Sequence, residues 1–215
     1  GAVEFSADPK AAFVAAVPLP APPDWMLDTS PSTLLARRMA TRYEKEFLPT
    51  QSVSQSIRPV VKDRQPRLSE LATQTLALTD RLSGLLDALT APHEESRLAA
   101  IEGIRAWLPR DPENGPRLQR ELENRFREDE AAALYRLLWG YSPQDARDPV
   151  VSAQLIEWMG DEEIAVRELA AYHVHQLTPT GRSLGYRADR RPDEREAVLR
   201  RWREFLKESG SLIDD

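Results

Sequence analysis

His173 and His175 are the first candidates for chemistry in this chain, because neutral imidazoles are common metal ligands. On a helix, however, residues i and i+2 point about 200° apart, so the two rings cannot share one ion. His173 falls on the stripe of Val166, Ala170 and Leu177, which predicts a core histidine instead. The acidic groups Glu94/Glu95, Glu128–Glu130 and Asp161–Glu163 could serve as general acids or cation ligands. All three stand where helices are expected to begin, and carboxylates there favour the positive end of the helix dipole. They lack the spacing of a Ca²⁺ loop and a histidine suited to metal catalysis, so capping is their expected role.

The densest basic set is Arg182, Arg187, Arg190, Arg191, Arg195, Arg200, Arg201 and Arg203. It could hold phosphate or an acidic partner, but Asp189, Asp193, Glu194, Glu196 and Glu204 interleave with it and predict a mixed-sign, solvated face. Trp25, Trp107, Trp139, Trp158 and Trp202 could be stacking platforms for bases or sugars. Four of them lie near expected helix ends, where a large ring seals the junction between neighbouring helices. No Walker loop, dinucleotide fingerprint or G-x-S-x-G elbow occurs. Without a nucleophile–base, metal or cofactor constellation, the chain reads as a non-enzyme, with no catalytic, cofactor-binding or metal residues to assign.

The bulk properties agree. With 215 residues, 41% hydrophobic and 30% charged, the chain suits one folded core. A net charge of −6 argues against a dedicated nucleic-acid binder. The absence of cysteine removes disulfides and thiolate chemistry and is compatible with either side of a bacterial inner membrane. No run approaches 18 apolar residues, hence no membrane-spanning helix is expected. A first residue Gly1 in place of Met, followed by the proline-rich stretch Pro18 to Asp24, suggests a fragment of a longer polypeptide. Residues 1–28 are expected to be an extended arm or linker, with docking through Phe5, Phe13 and Trp25 as the alternative, and residues 29–215 a single helical domain.

These groups must be carried by helices. Ser30 and Pro31 predict a cap and first-turn proline for a helix with Leu34, Leu35, Met39, Tyr43 and Phe47 on one stripe. A weaker helix follows over 51–64, interrupted by Pro59, and a leucine-periodic one over 66–90. Residues 93–108, 116–127, 129–141, 149–159, 161–177 and 192–208 complete the set. Three of these match: Ala100, Ala133 and Ala170 align, as do Ile104, Leu137 and Val174, at spacings of 33 and 37 residues. Recurrence at that period is the mark of stacked helical hairpins, here (66–90, 93–108), (116–127, 129–141) and (149–159, 161–177). A closed helical bundle of the same helices is the competing arrangement.

Residues 66–178 resemble HEAT-type repeats, through Asp161 near a turn, Arg167 one turn into the following helix, and Arg97 as a partial match. Residues 177–206 are similar to the close of bacterial HEAT-like proteins, through Gly185, Tyr186, Pro192, Arg201 and Trp202. The resemblance implies an all-α, HEAT-like α-solenoid with an extended N-terminal arm, forming the C-terminal part of a longer envelope-associated or periplasmic bacterial protein. It implies a scaffold that binds another protein, with a face along Arg105, Arg136 and Arg167. The alternative is a HEAT-like DNA-base glycosylase, which would need a basic groove holding Trp139 or Trp158 beside Asp145 or Asp148.

Overall fold

Prolines open five of the eleven helices among the described residues. A computed structural model describes residues 30–178 and 184–213, and the expected arm of residues 1–28, including Phe5, Phe13 and Trp25, lies outside them. Among the described residues the chain is all-α, with 11 helices and no strands. It divides into two compact units, Gly1–Glu44 and Lys45–Asp215. Within the first, α1 (Pro31–Glu44) starts as expected: the Ser30 hydroxyl accepts from the Thr33 N–H at 3.4 Å, and its carbonyl accepts from Leu34 at 3.0 Å. Phe47 lies beyond its end.

The second unit begins with α2 (Val53–Ile57), capped by Ser52 and Gln55, and a 3-10 turn over Arg58–Lys62 with Pro59 as its second residue. The expected 51–64 helix is thus split where the proline cannot donate to the preceding turn. Then come α3 (Pro66–Leu78) and α4 (Leu82–Ala88), where one continuous helix to residue 90 was expected. The chain breaks at Thr79–Arg81. Arg81 N–H donates to the Leu76 carbonyl at 2.9 Å and Asp80 N–H to that of Ala77 at 3.2 Å, with Asp80 at φ 53°. This is a Schellman ending whose left-handed position is filled by aspartate rather than glycine, so no glycine marked it in the sequence. It leaves Leu78 86% exposed, whereas Leu76, Leu82, Leu85, Leu86 and Leu89 are buried.

The remaining helices are α5 (Glu94–Trp107), α6 (Asn114–Glu123), α7 (Glu128–Trp139), the short α8 (Pro143–Ala146), α9 (Pro149–Trp158), α10 (Ile164–Leu177) and α11 (Pro192–Ser209). Proline occupies the first turn of α3, α8, α9 and α11, where its missing N–H costs nothing. The three matched helices are α5, α7 and α10, and all six aligned positions in them are buried. Helices α3 and α4 pack on α5, α6 on α7, and α9 on both α10 and α11. In addition α10 touches α5 as well as α7, so the three matched helices meet one another directly. The C-terminal segment returns to the body: Leu212 is buried, and its N–H lies 3.1 Å from the Ser152 hydroxyl and 3.2 Å from the Ala146 carbonyl.

Helices α3 and α5 come close together at Gly103 of α5. A methyl group added there would lie 2.7 Å from the Ala77 Cβ of α3, a rigid neighbour that cannot rotate away. Gly103→Ala should therefore destabilise the protein by roughly 1–3 kcal/mol through overpacking, although helix propensity alone favours alanine by about 1 kcal/mol. A urea midpoint equal to or above that of the parent would show that α3 and α5 part without cost.

Candidate functional site

Two arginines set the frame around which the surface groups are arranged. Arg97 in the first turn of α5 donates from Nη1 to the carbonyls of Ala91 and Pro92, at 2.9 and 3.2 Å. Arg167 in the first turn of α10 does the same to Asp161 and Glu162, at 2.7 and 2.6 Å. In both cases the acceptors lie six and five residues upstream, so one clamp is used twice, 70 residues apart. It gathers the turn carbonyls that precede the helix, groups that have no helical partner of their own. The corresponding residue in α7 is Glu130, which instead accepts from the Arg127 backbone at 3.0 Å as a cap. The Nε of Arg167 donates to Ala188 at 3.1 Å, fastening the loop that carries Tyr186. Tyr186 is itself buried with its hydroxyl on the Met159 carbonyl, and burial pushes its phenol up to about 12.

Arg97 uses its Nε differently. It meets the Glu168 carboxylate of α10 at 2.6 Å, with the two side chains 1% and 6% exposed. Burial pushes the Glu168 carboxyl above the usual glutamate value, and the charge and hydrogen bond of Arg97 pull it part of the way back. The Nη2 of Arg97 is buried without a hydrogen-bond partner among the described residues. A pair in this setting is costly to halve, because the survivor stays charged in the interior. Glu168→Gln should lower unfolding stability by roughly 3–5 kcal/mol. Replacing both partners, Arg97→Met with Glu168→Leu, should recover part of that loss, the remainder reflecting the released Ala91 and Pro92 carbonyls. A Glu168→Gln protein as stable as the parent in urea would remove the pair from its organising role.

At the other end of the matched helices lies a connected group of cations and aromatic rings. His173 is 2% exposed, and its Nε2–H donates to the Leu137 carbonyl of α7 at 2.6 Å, which fixes the proton on that nitrogen. Its ring stands edge-on to Tyr141, 5.1 Å between centroids, and to Tyr172, 5.4 Å. Arg136 lies 4.0 Å over the Tyr141 ring and donates to the Gly140 carbonyl at 2.5 Å. Arg105 lies 5.8 Å from the Tyr172 ring centre and donates to the Leu138 carbonyl at 3.1 Å. Both arginines thus satisfy carbonyls at the end of α7, where positive charge also suits the helix dipole. Gly140 ends that helix at φ 91°, ψ −173°, a backbone region open to glycine alone, and a Cβ there would collide with the Arg105 guanidinium. Trp139, one residue earlier, is 48% exposed and meets Tyr135 edge-on at 6.3 Å.

Of the expected face, Arg105 and Arg136 come together here, while Arg167 does not: it is 8% exposed and serves as a clamp. His173 is the core histidine expected; Glu94/Glu95 and Glu128–Glu130 sit in first turns, whereas Asp161–Glu163 precede α10, Asp161 accepting from the Glu163 N–H and Glu163, the N-cap, from that of Ala165. Trp107 and Trp202 are buried, whereas Trp139 departs from the sealing role expected of it. Arg187, Arg190, Arg191 and Arg203 of the C-terminal set form ion pairs, and Arg182 lies outside the described residues. Asp145 caps α8 by accepting the Ser142 N–H and hydroxyl at 2.7 Å each, which lowers its pKa below the usual aspartate value. Asp148 likewise accepts from Val150 at 2.8 Å. Among the described residues no group of three metal-ligating side chains occurs, and no helix is long and apolar enough to cross a membrane. Sequence reasoning missed the Tyr141–His173–Tyr172 contact, which joins residues from α10 to the chain beyond α7. The only sequence signal for it was the aromatic flanking of Gly140.

Burial holds His173 neutral, with its pKa lowered to about 4 and Arg105 and Arg136 adding to the effect. In the unfolded chain it takes up a proton near the ordinary value of about 6.5. Below that pH the unfolded state binds the proton first, so stability is lost as pH falls from about 6.5 through about 4. Between pH 7 and pH 5 the loss from this group should be about 2 kcal/mol. His173→Gln should flatten that part of the stability curve in urea titrations. An unchanged slope would mean that the ring is protonated in the folded state.

No protein-family profile, curated protein or solved structure matches the chain.

Proposed function

We propose that this chain is a non-catalytic protein-interaction module, a short HEAT-like stack of helical hairpins that grips another polypeptide. The observation that carries this reading is the composition of the cluster at the end of α7. Trp139, Tyr135, Tyr141, Tyr172, Arg105 and Arg136 are the residue types enriched where proteins bind one another most tightly. The guanidinium groups are held by backbone carbonyls and ring faces, which lowers the entropy lost when a partner docks against them. Trp139 offers a rigid, half-exposed anchor.

The clamp shared by Arg97 and Arg167 supports the repeat reading, since it ties the same two turn carbonyls to the same place on α5 and α10. The contact of α5 with α10 then calls for a tightly curved stack. The setting proposed is the C-terminal part of a longer envelope-associated bacterial protein, on the resemblance of the segment around Tyr186 and Trp202.

A photo-crosslinking residue at position 139, compared with one at Arg201 on α11, tests the reading in cells of the source organism. A discrete protein adduct at 139 that disappears with Arg136→Glu is the expected result. Equal adducts from both positions, or none, would remove the proposed face. Release of a damaged base from duplex DNA, abolished by Asp145→Asn, would establish the glycosylase alternative in its place.

A further inference from the structure

The break between α3 and α4 opens a second site, independent of the cluster just described. Around it the ends of α2, α4 and α6 leave a cleft of about 240 Å³, lined by three arginines, Arg58, Arg81 and Arg117, one carboxylate, Asp80, and the polar Ser54, Gln55 and Ser83. We propose that this cleft binds a small phosphoryl dianion, inorganic phosphate or a compact phosphate monoester.

The charge balance is the first ground. Asp80 is engaged by Arg110 at 2.9 Å, and the single carboxylate of Asp87 is shared by Arg58 and Arg125, each at 2.6 Å. Arg125 also reaches Glu121 at 3.4 Å. Of the charged residues that line the cleft, three arginines therefore stand against one carboxylate, Asp80, leaving excess positive charge in a protein of net charge −6. Arg81 makes no ion pair or side-chain hydrogen bond among the described residues. Among the described residues the Arg117 guanidinium has the Trp107 ring beneath it, 5.7 Å from the ring centre, and no ion pair. Two guanidinium forks that no carboxylate engages among the described residues thus border one cleft, whose own carboxylate, Asp80, is held by Arg110, and such forks match the oxygens of phosphate bidentately.

The backbone is the second ground. Asp80 takes a left-handed conformation at the end of the Schellman turn, held there by the turn's two backbone bonds. The turn that it makes places Arg81 at the head of α4, on the same cleft as Arg58 and Arg117. Size is the third. The cleft is below the roughly 300–1,000 Å³ of pockets for drug-sized ligands, so it suits a phosphate-sized group better than a nucleotide. Serine hydroxyls and the Gln55 amide add neutral polar groups around the same space.

Titration of the folded protein with inorganic phosphate at constant ionic strength, followed by backbone amide NMR, tests this. Saturable shifts confined to Arg81, Ser83, Gly84 and Arg117 are expected. Arg81→Ala and Arg117→Ala, both exposed positions, should each weaken binding at least tenfold, and Arg200→Ala on α11 should leave it unchanged. Thermal midpoints within a few degrees of the parent would show that the variants are folded, and Arg81→Lys should restore part of the affinity. Shifts that spread over many arginines without saturation, or that respond equally to Arg81→Ala and Arg200→Ala, would overturn the proposal. Binding of a phosphoserine peptide but not of inorganic phosphate would overturn it too, in favour of a protein ligand.

Discussion

The Arg97–Glu168 pair is the constraint on which the arrangement of the matched helices depends. It joins α5 to α10 across 71 residues of chain, in a place where both side chains are buried. Hydrophobic contact alone would let the two helices slide, because apolar side chains accept many neighbours of similar size. A charge pair of this kind accepts one register. Its cost is desolvation, incompletely offset here because one guanidinium nitrogen finds no acceptor among the described residues. The return is a defined position of α10 against α5, and with it the position of everything α10 carries.

What α10 carries at its far end is His173, and the same logic holds there on a smaller scale. The ring donates to the end of α7, so α5, α7 and α10 are tied by an ion pair at one end and by arginine- and histidine-to-carbonyl bonds at the other. The polar side chains spent on these ties are those that looked most like chemistry. Arg105, Arg136, Arg167 and His173 all hold backbone carbonyls. Their use is intelligible from the helix ends they serve, where carbonyls or turn groups lack partners. The rings left at the surface, Trp139 above all, are the ones available to another molecule.

The clamp also accounts for the unequal likeness of the three matched segments. In α5 and α10 an arginine one turn in gathers the preceding turn, whereas in α7 Glu130 binds the Arg127 backbone. The two solutions satisfy the same kind of need with opposite charge. A pattern search keyed to arginine therefore sees the first and third segments and passes over the second.

Helix identity, starts and apolar faces were determined by the sequence itself, because they rest on local rules. Proline in the first turn, Ser30 and Asp148 as caps, and the aligned Ala100, Ala133 and Ala170 all led to helices that the structure contains. The core placement of His173 followed from the same 3.6-residue period. Tertiary structure alone decided the break at Asp80, because a left-handed aspartate is held there by the turn's two backbone bonds and by packing of Leu82 and Leu85 that no local signal announces. It also decided that Arg97 faces Glu168, that Arg105 and Arg136 converge while Arg167 does not, and that Trp139 stays exposed. Each of these depends on which helix lies beside which. That is settled by long-range packing, and a period along one chain segment carries no record of its neighbour.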